Sequence, residues 1–385
     1  MTTRRQVLVG VAAGAVGGAA AGAVAARAGA RDSADPLRDA VVVNALGGFG
    51  DPNAPEDIEQ APKAEMPERV LGDTLASGLT AMNITLGAYR EGDEAFEPTV
   101  REVAEWDRVL RGNADRTLKI WTADDILRAK RERKLGVIYG FQDTVALGDR
   151  ADRAGLFADL GVRVIQLTYN GRNRVGSGCL AADEGLTAFG REVVERLNAA
   201  RVMVDLSHSG ARTCLEAIEA SSRPISINHT GCRALNDVPR NKTDEELRGV
   251  AQRGGFVGIY FMPVYLSRTG TPLAEVMIAH LEHALDVCGE DHVGLGTDGS
   301  VTAVDDLQAY RAGIAKQVED RRARGISAPG ESAEAMTFLT DLQGPGMYRE
   351  LAERLSRRGH GWATIEKILG RNFLRHAREI WPASP

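Results

Sequence analysis

The sequence predicts a (β/α)8 TIM barrel with extra C-terminal helices. Eight short apolar runs rich in β-branched residues recur along the chain, separated by segments with apolar residues at helical spacing. Strands that are apolar on both faces and alternate with helices belong to a parallel sheet. Eight such units within about 260 residues fit a closed barrel better than an open doubly wound sheet. No Gly-x-Gly-x-x-Gly follows the first run, so a dinucleotide-binding sheet has no support.

Residues 1–30 precede the barrel. They read Thr3-Arg4-Arg5-Gln6-Val7-Leu8-Val9 and then an Ala/Gly/Val stretch to about Ala26. Paired arginines ahead of a weakly hydrophobic, glycine-rich stretch are the pattern of a bacterial twin-arginine signal peptide. Ala26-Arg27-Ala28 and Ala28-Gly29-Ala30 offer small-x-small cleavage sites. The expected product is one barrel domain, 31–385, periplasmic or secreted after passing the twin-arginine export machinery. An uncleaved signal would leave it membrane-anchored.

The predicted strands are Ala40–Ala45, Thr80–Leu86, Gly136–Phe141, Val162–Tyr169, Val202–His208, Pro224–His229, Gly255–Phe261 and His292–Asp298. Leu186–Ala199 and Asp244–Gln252 are two of the intervening helices. Ala303–Arg324, Met347–Arg358 and Ala363–Ile380 continue as helices, with a break at Ser327–Glu331. Lys and Arg number 47 against 53 Asp and Glu, a net charge of −6, which argues against nucleic-acid binding through phosphates. Cys179, Cys214, Cys232 and Cys288 show no Cys-x-x-Cys spacing, so neither a zinc ribbon nor a disulfide scaffold is indicated. A bridge between Cys179 and Cys232, and Cys232 as a soft metal ligand, stay open.

Active-site residues of such barrels sit at the carboxyl ends of the strands. The fifth run ends Asp205-Leu206-Ser207-His208, the sixth Asn228-His229, and the eighth Thr297-Asp298-Gly299. Two histidines and an aspartate from three strands form a set that binds a divalent metal and activates water. The alternative is three residues that hydrogen-bond one another. His280, His283, His292, His360 and His376 lie on helices or at the wrong strand end and read as structural.

These segments resemble the membrane (renal) dipeptidase family of zinc metallopeptidases. GVRVIQLTYN at Gly161–Asn170 resembles its fourth-strand block, and DLSHS at Asp205–Ser209 its first histidine motif. His229 with Arg233-Ala234-Leu235 and Pro239 through Asp244 resembles the second, including Arg240 eleven residues on. DHVGLGTD at Asp291–Asp298 and ILGRNFLR at Ile368–Arg375 complete a likeness running from about residue 38 to 378. The resemblance implies an amidohydrolase-like barrel that hydrolyses dipeptides or related amides with two zinc ions bridged by a glutamate. It implies His208 and His229 as ligands of one zinc and Arg240 as the clamp on a substrate carboxylate. It further implies Asp298 as the group assisting proton transfer to the leaving amine. A homodimer is left open.

Several positions depart from that pattern. The first-strand His-x-Asp falls on Leu46 and Gly48, the bridging glutamate on Tyr139, and a substrate-facing histidine on Tyr169. Leucine and glycine side chains cannot hold zinc, and no histidine precedes His208. One zinc rather than two is therefore expected, with a third ligand from Asp298, Tyr139 or Tyr169. The alternative is a catalytically inactive exported barrel that binds a small carboxylate. A third reading gives the acid/base work to Tyr139 and Tyr169 facing the histidines. Asp51, Gln142 and Asp143 follow strand ends as further polar candidates, and Asn83 lies within the second run.

Overall fold

Each predicted run coincides with a strand in the computed structural model, which describes residues 35–54, 66–87, 95–269, 273–323 and 336–383. The strands are β1 (Val43–Gly47), β2 (Ala81–Thr85), β3 (Thr117–Lys119), β4 (Leu135–Phe141), β5 (Val162–Gln166), β6 (Met203–Asp205), β7 (Ser226–Thr230), β8 (Phe256–Ile259) and β9 (Val293–Leu295). All neighbours pair in parallel, in the order β1-β2-β4-β5-β6-β7-β8-β9. The short β3 was not predicted. It pairs with β4 from Thr117–Leu135 to Lys119–Val137, below the point at Tyr139 where β5 joins. Three residues are too few to show a period.

The ring closes between β1 and β9 mainly through one side chain. Asn44 donates from Nδ2 to Thr297 Oγ1 at 2.7 Å and accepts from Thr297 N at 2.8 Å. Above it, Asp298 N donates to Leu46 O at 2.9 Å and Gly48 N to Gly299 O at 3.2 Å. Both strands therefore end side by side at the mouth.

The opposite end is plugged by the C-terminal helix. Val43, Ala81, Ile138, Val164, Met203 and Phe256 share a buried cluster with Phe373, Leu374, Ala377, Ile380 and Trp381. Asn372 Nδ2 donates to Glu290 O and Val293 O, and Arg375 donates to Gly254 O and Gly255 O, capping carbonyls at the start of β8 and β9. The predicted single helix Ala363–Ile380 is instead Trp362–Glu366, a wide π-type turn at Lys367–Arg371, and Asn372–Ile380. The reason is close approach: a Cβ on Gly370 would lie 2.5 Å from Val41 O.

Met347–Arg357 forms a helix as predicted, and Leu307–Ala323 forms within the predicted Ala303–Arg324. The latter packs through Tyr310, Ile314 and Val318 on Met336, a cluster separate from the main core. The signal peptide and the break at Ser327–Glu331 lie outside the described residues. Among the described residues no helix is long and apolar enough to cross a membrane.

Candidate functional site

His208 and His229 follow β6 and lie on β7, and both are buried at the mouth. Asp205 sets their spacing. Its carboxylate accepts from Ser207 N, Ser207 Oγ and Asn228 N at 3.0, 2.5 and 3.0 Å, tying the end of β6 to β7. Ser207 Oγ in turn accepts from His229 N at 3.1 Å. The two imidazoles meet edge to edge, with Nε2 atoms 3.0 Å apart. Burial, followed by the fields of Arg240 and Lys242, holds the pKa of His229 well below the usual histidine range, so its ring is neutral.

Arg240 reaches the same place from the loop after β7. Its guanidinium is buried, donating from Nη1 to Ser207 O at 2.7 Å and from Nη2 to His208 Nε2 at 2.8 Å. The rings of Tyr260 and Tyr265 stand 5.5 and 6.0 Å from it. Tyr260 donates to Asn241 Oδ1, and Asn241 Nδ2 donates to Asn236 O and Tyr265 O. Next in sequence, buried Lys242 pairs with Glu246 at 3.1 Å and also donates to Ser209 O. Glu246 forms a capping box with Thr243 that starts the helix Asp244–Gln252. The helix start thus anchors the loop and matches the charge of Lys242, leaving Arg240 as the cation beside the imidazoles.

Tyr169 stacks on the His208 ring, with centroids 4.2 Å apart. Its backbone N–H donates to Asp143 Oδ2 at 3.0 Å, and Asn173 Nδ2 donates to Asp143 Oδ1 at 2.7 Å. Burial pushes the Asp143 carboxyl up to about 6, against the pull of these donors. Asp143 is thus a buckle for the Tyr169 loop. Asp298 sits at the end of β9 with φ 57°, a left-handed conformation that a non-glycine residue adopts at some cost and that is common at functional sites. Its negative charge acts on Arg240.

The structure corrects two expectations. Tyr139 does not face the mouth: its hydroxyl donates to Asp107 Oδ1 at 3.0 Å and its ring lies under Lys119 Nζ, on the helix side of the sheet. Side chains alternate along a strand, and the inward set of β4 is Ile138 and Gly140, continued by Gln142. Ile138 belongs to the cluster at the barrel floor, a Cβ on Gly140 would meet Asn83, and Gln142 Nε2 donates to Thr85 Oγ1 at 2.7 Å. The polar side chain that β4 offers at the mouth is therefore Gln142. Cys232 is turned away from the imidazoles, its N–H donating to His280 Nδ1 and its thiol to His280 O, and all four cysteines are free. Leu46 is buried and Gly48 borders open space, since a Cβ there would meet nothing within 4 Å.

A sequence profile described as membrane dipeptidase (peptidase family M19) matches residues 64–321. The chain belongs to the membrane dipeptidase family. An uncharacterized protein from the pqqA 5′ region of Klebsiella pneumoniae is 26% identical over 293 residues, 73% of this chain and 95% of that one. The dipeptidase tcpJ of Claviceps purpurea is 26% identical over 74% of this chain and 60% of its own length. Among solved structures, an amidohydrolase from Pseudomonas aeruginosa superposes with a TM-score of 0.76 at 29% identity, covering 90% of this chain and 98% of that one. The membrane dipeptidase family is one of hydrolases whose reaction uses metal, typically zinc.

The residues present in this member do not fit that metal centre. Among the described residues no group of three or more His, Cys, Asp or Glu gathers where an ion could sit. The first-strand positions are Leu46 and Gly48, and β4 offers the neutral amide of Gln142. A zinc-bound imidazole normally donates its other ring N–H to a partner. His208 does so, from Nδ1 to Asn170 Oδ1 at 2.7 Å, but buried His229 Nδ1 has no partner among the described residues.

Proposed function

We propose that the mouth of this barrel captures a dipeptide or related small amide by its free carboxylate, with Arg240 as the carboxylate's partner. The observation that carries this reading is the state of Arg240. It is a buried guanidinium whose hydrogen bonds go to a carbonyl and a neutral imidazole, and whose Nε has no partner. The unused Nε–H of a buried guanidinium gives a ligand carboxylate a donor at the mouth, and guanidinium geometry suits a carboxylate. Tyr169 supplies a flat wall beside the imidazoles, and Asp298 supplies negative charge suited to a ligand's amine. The twin-arginine segment supports capture outside the cytoplasm.

A second reading, hydrolysis on a single ion held by His208 and His229, is favoured by the 3.0 Å approach of their Nε2 atoms. Titration calorimetry with dipeptides and N-acyl amino acids, run beside chromatographic product analysis, separates the two. Capture predicts binding of free-carboxylate ligands without new products. Turnover that disappears together with bound metal in His208→Ala would replace capture with single-ion hydrolysis.

A further inference from the structure

We infer that Arg240 stands in for the family's metal: a guanidinium, and not an ion, holds the imidazoles of His208 and His229 in place. The contacts of the two imidazoles fix where their protons lie. Arginine can only donate, so the 2.8 Å contact from Nη2 makes His208 Nε2 an acceptor. The proton of a neutral His208 ring is then on Nδ1, where Asn170 Oδ1 accepts it at 2.7 Å. His208 Nε2 also faces His229 Nε2 at 3.0 Å, so the His229 proton is on Nε2 and points at His208. His229 Nδ1 is left bare, and it is the ring atom with no partner. One assignment of protons accounts for all three contacts, with the lone pair of His208 Nε2 shared between Arg240 and His229.

A metal would require the opposite arrangement. Both Nε2 atoms would have to be unprotonated, which moves the His229 proton to Nδ1, a buried atom with nothing to receive it. A dication would also have to displace the guanidinium from His208 Nε2, without Leu46, Gly48 or Gln142 contributing charge. The surroundings complete the substitution. Ser207 O fixes one arm of the guanidinium, the Tyr260 and Tyr265 rings lie alongside it, and Asp298 balances its charge from the end of β9. Where the family holds metal cations, this mouth places a protein cation beside the two imidazoles, with Asp298 as its counter-charge.

The inference shares Arg240 with the capture reading, and it is tested independently of any ligand. Full chain purified without chelator is analysed for zinc, melted with and without EDTA and with added zinc, and examined by nitrogen-15 correlation spectroscopy of its histidine side chains. The expected results are less than about one zinc per ten chains and a melting temperature unmoved by EDTA or zinc. The spectra are expected to show a proton on Nδ1 of His208 and on Nε2 of His229. About one zinc per chain, with EDTA lowering the melting temperature by several degrees, would overturn the inference. A His229 ring protonated at Nδ1 would overturn it too. Arg240→Ala is expected to scramble the two tautomers. If that variant does not fold, the wild-type zinc content and spectra still decide. Absence of ligand binding with these results intact would refute capture alone.

Discussion

At the scale of single residues, the site turns on which atoms are donors and which are acceptors. Arg240 donates to His208, His208 donates to Asn170, and the chain of bonds leaves a guanidinium turned toward the mouth. Removing it should weaken binding of a free-carboxylate dipeptide by about 100-fold, the usual scale for a buried charge-assisted contact. Amidating the ligand's carboxylate should have a similar effect, and calorimetry reads both. Tyr139→Phe should leave ligand binding unchanged and cost about 1 kcal/mol of stability, the worth of its bond to Asp107, measured by urea unfolding. Much of the candidate site is legible in the chain: strand-end position and motif single out His208, His229, Arg240 and Asp298, and the structure places His208, His229 and Arg240 in contact. The resemblance puts Tyr139 at the bridging-glutamate position and leaves Gln142 a secondary candidate; a reading displaced by an odd number of residues along a strand reverses in and out. Asn170 and Asp205 carry no period of their own. Their signal is membership of the segments GVRVIQLTYN and DLSHS, which says nothing of the bonds they make.

At the scale of elements, the barrel depends on how its first and last strands meet. Asn44 supplies both bonds to Thr297, and truncating it leaves a buried backbone N–H unpaired. Asn44→Ala should therefore cost roughly 2–3 kcal/mol in urea unfolding, with loss of the Asp298 geometry as a secondary effect. Strand positions were readable because runs apolar on both faces stand out. The closing contact was not, because one asparagine at a strand start looks like any other polar interruption. β3 and the π-type turn escaped for related reasons: a three-residue strand has no period, and Gly370 is explained only by the carbonyl of Val41 across the barrel floor.

At the scale of the whole molecule, the C-terminal helix ties the floor of the barrel to pH. His376 is buried on that helix beside Phe256, and burial holds its pKa down at about 3. The folded value lies below the unfolded one, so the unfolded chain binds more protons between about pH 6.5 and 3. Stability from this group is present above pH 6.5 and is lost progressively as pH falls toward 3, by an amount on the order of a few kcal/mol. Urea midpoints between pH 7 and 4 should fall steeply in the wild type and more gently in His376→Phe.

In the proposed function, Arg240, and no metal, makes this mouth a carboxylate site. Calorimetric titration of the EDTA-treated full chain with a free-carboxylate dipeptide, using the amidated dipeptide as control, tests it most directly. The free-carboxylate ligand is expected to bind equally well before and after EDTA, and the amidated one is expected not to bind. Binding or hydrolysis that appears only when about one zinc per chain is restored would contradict it.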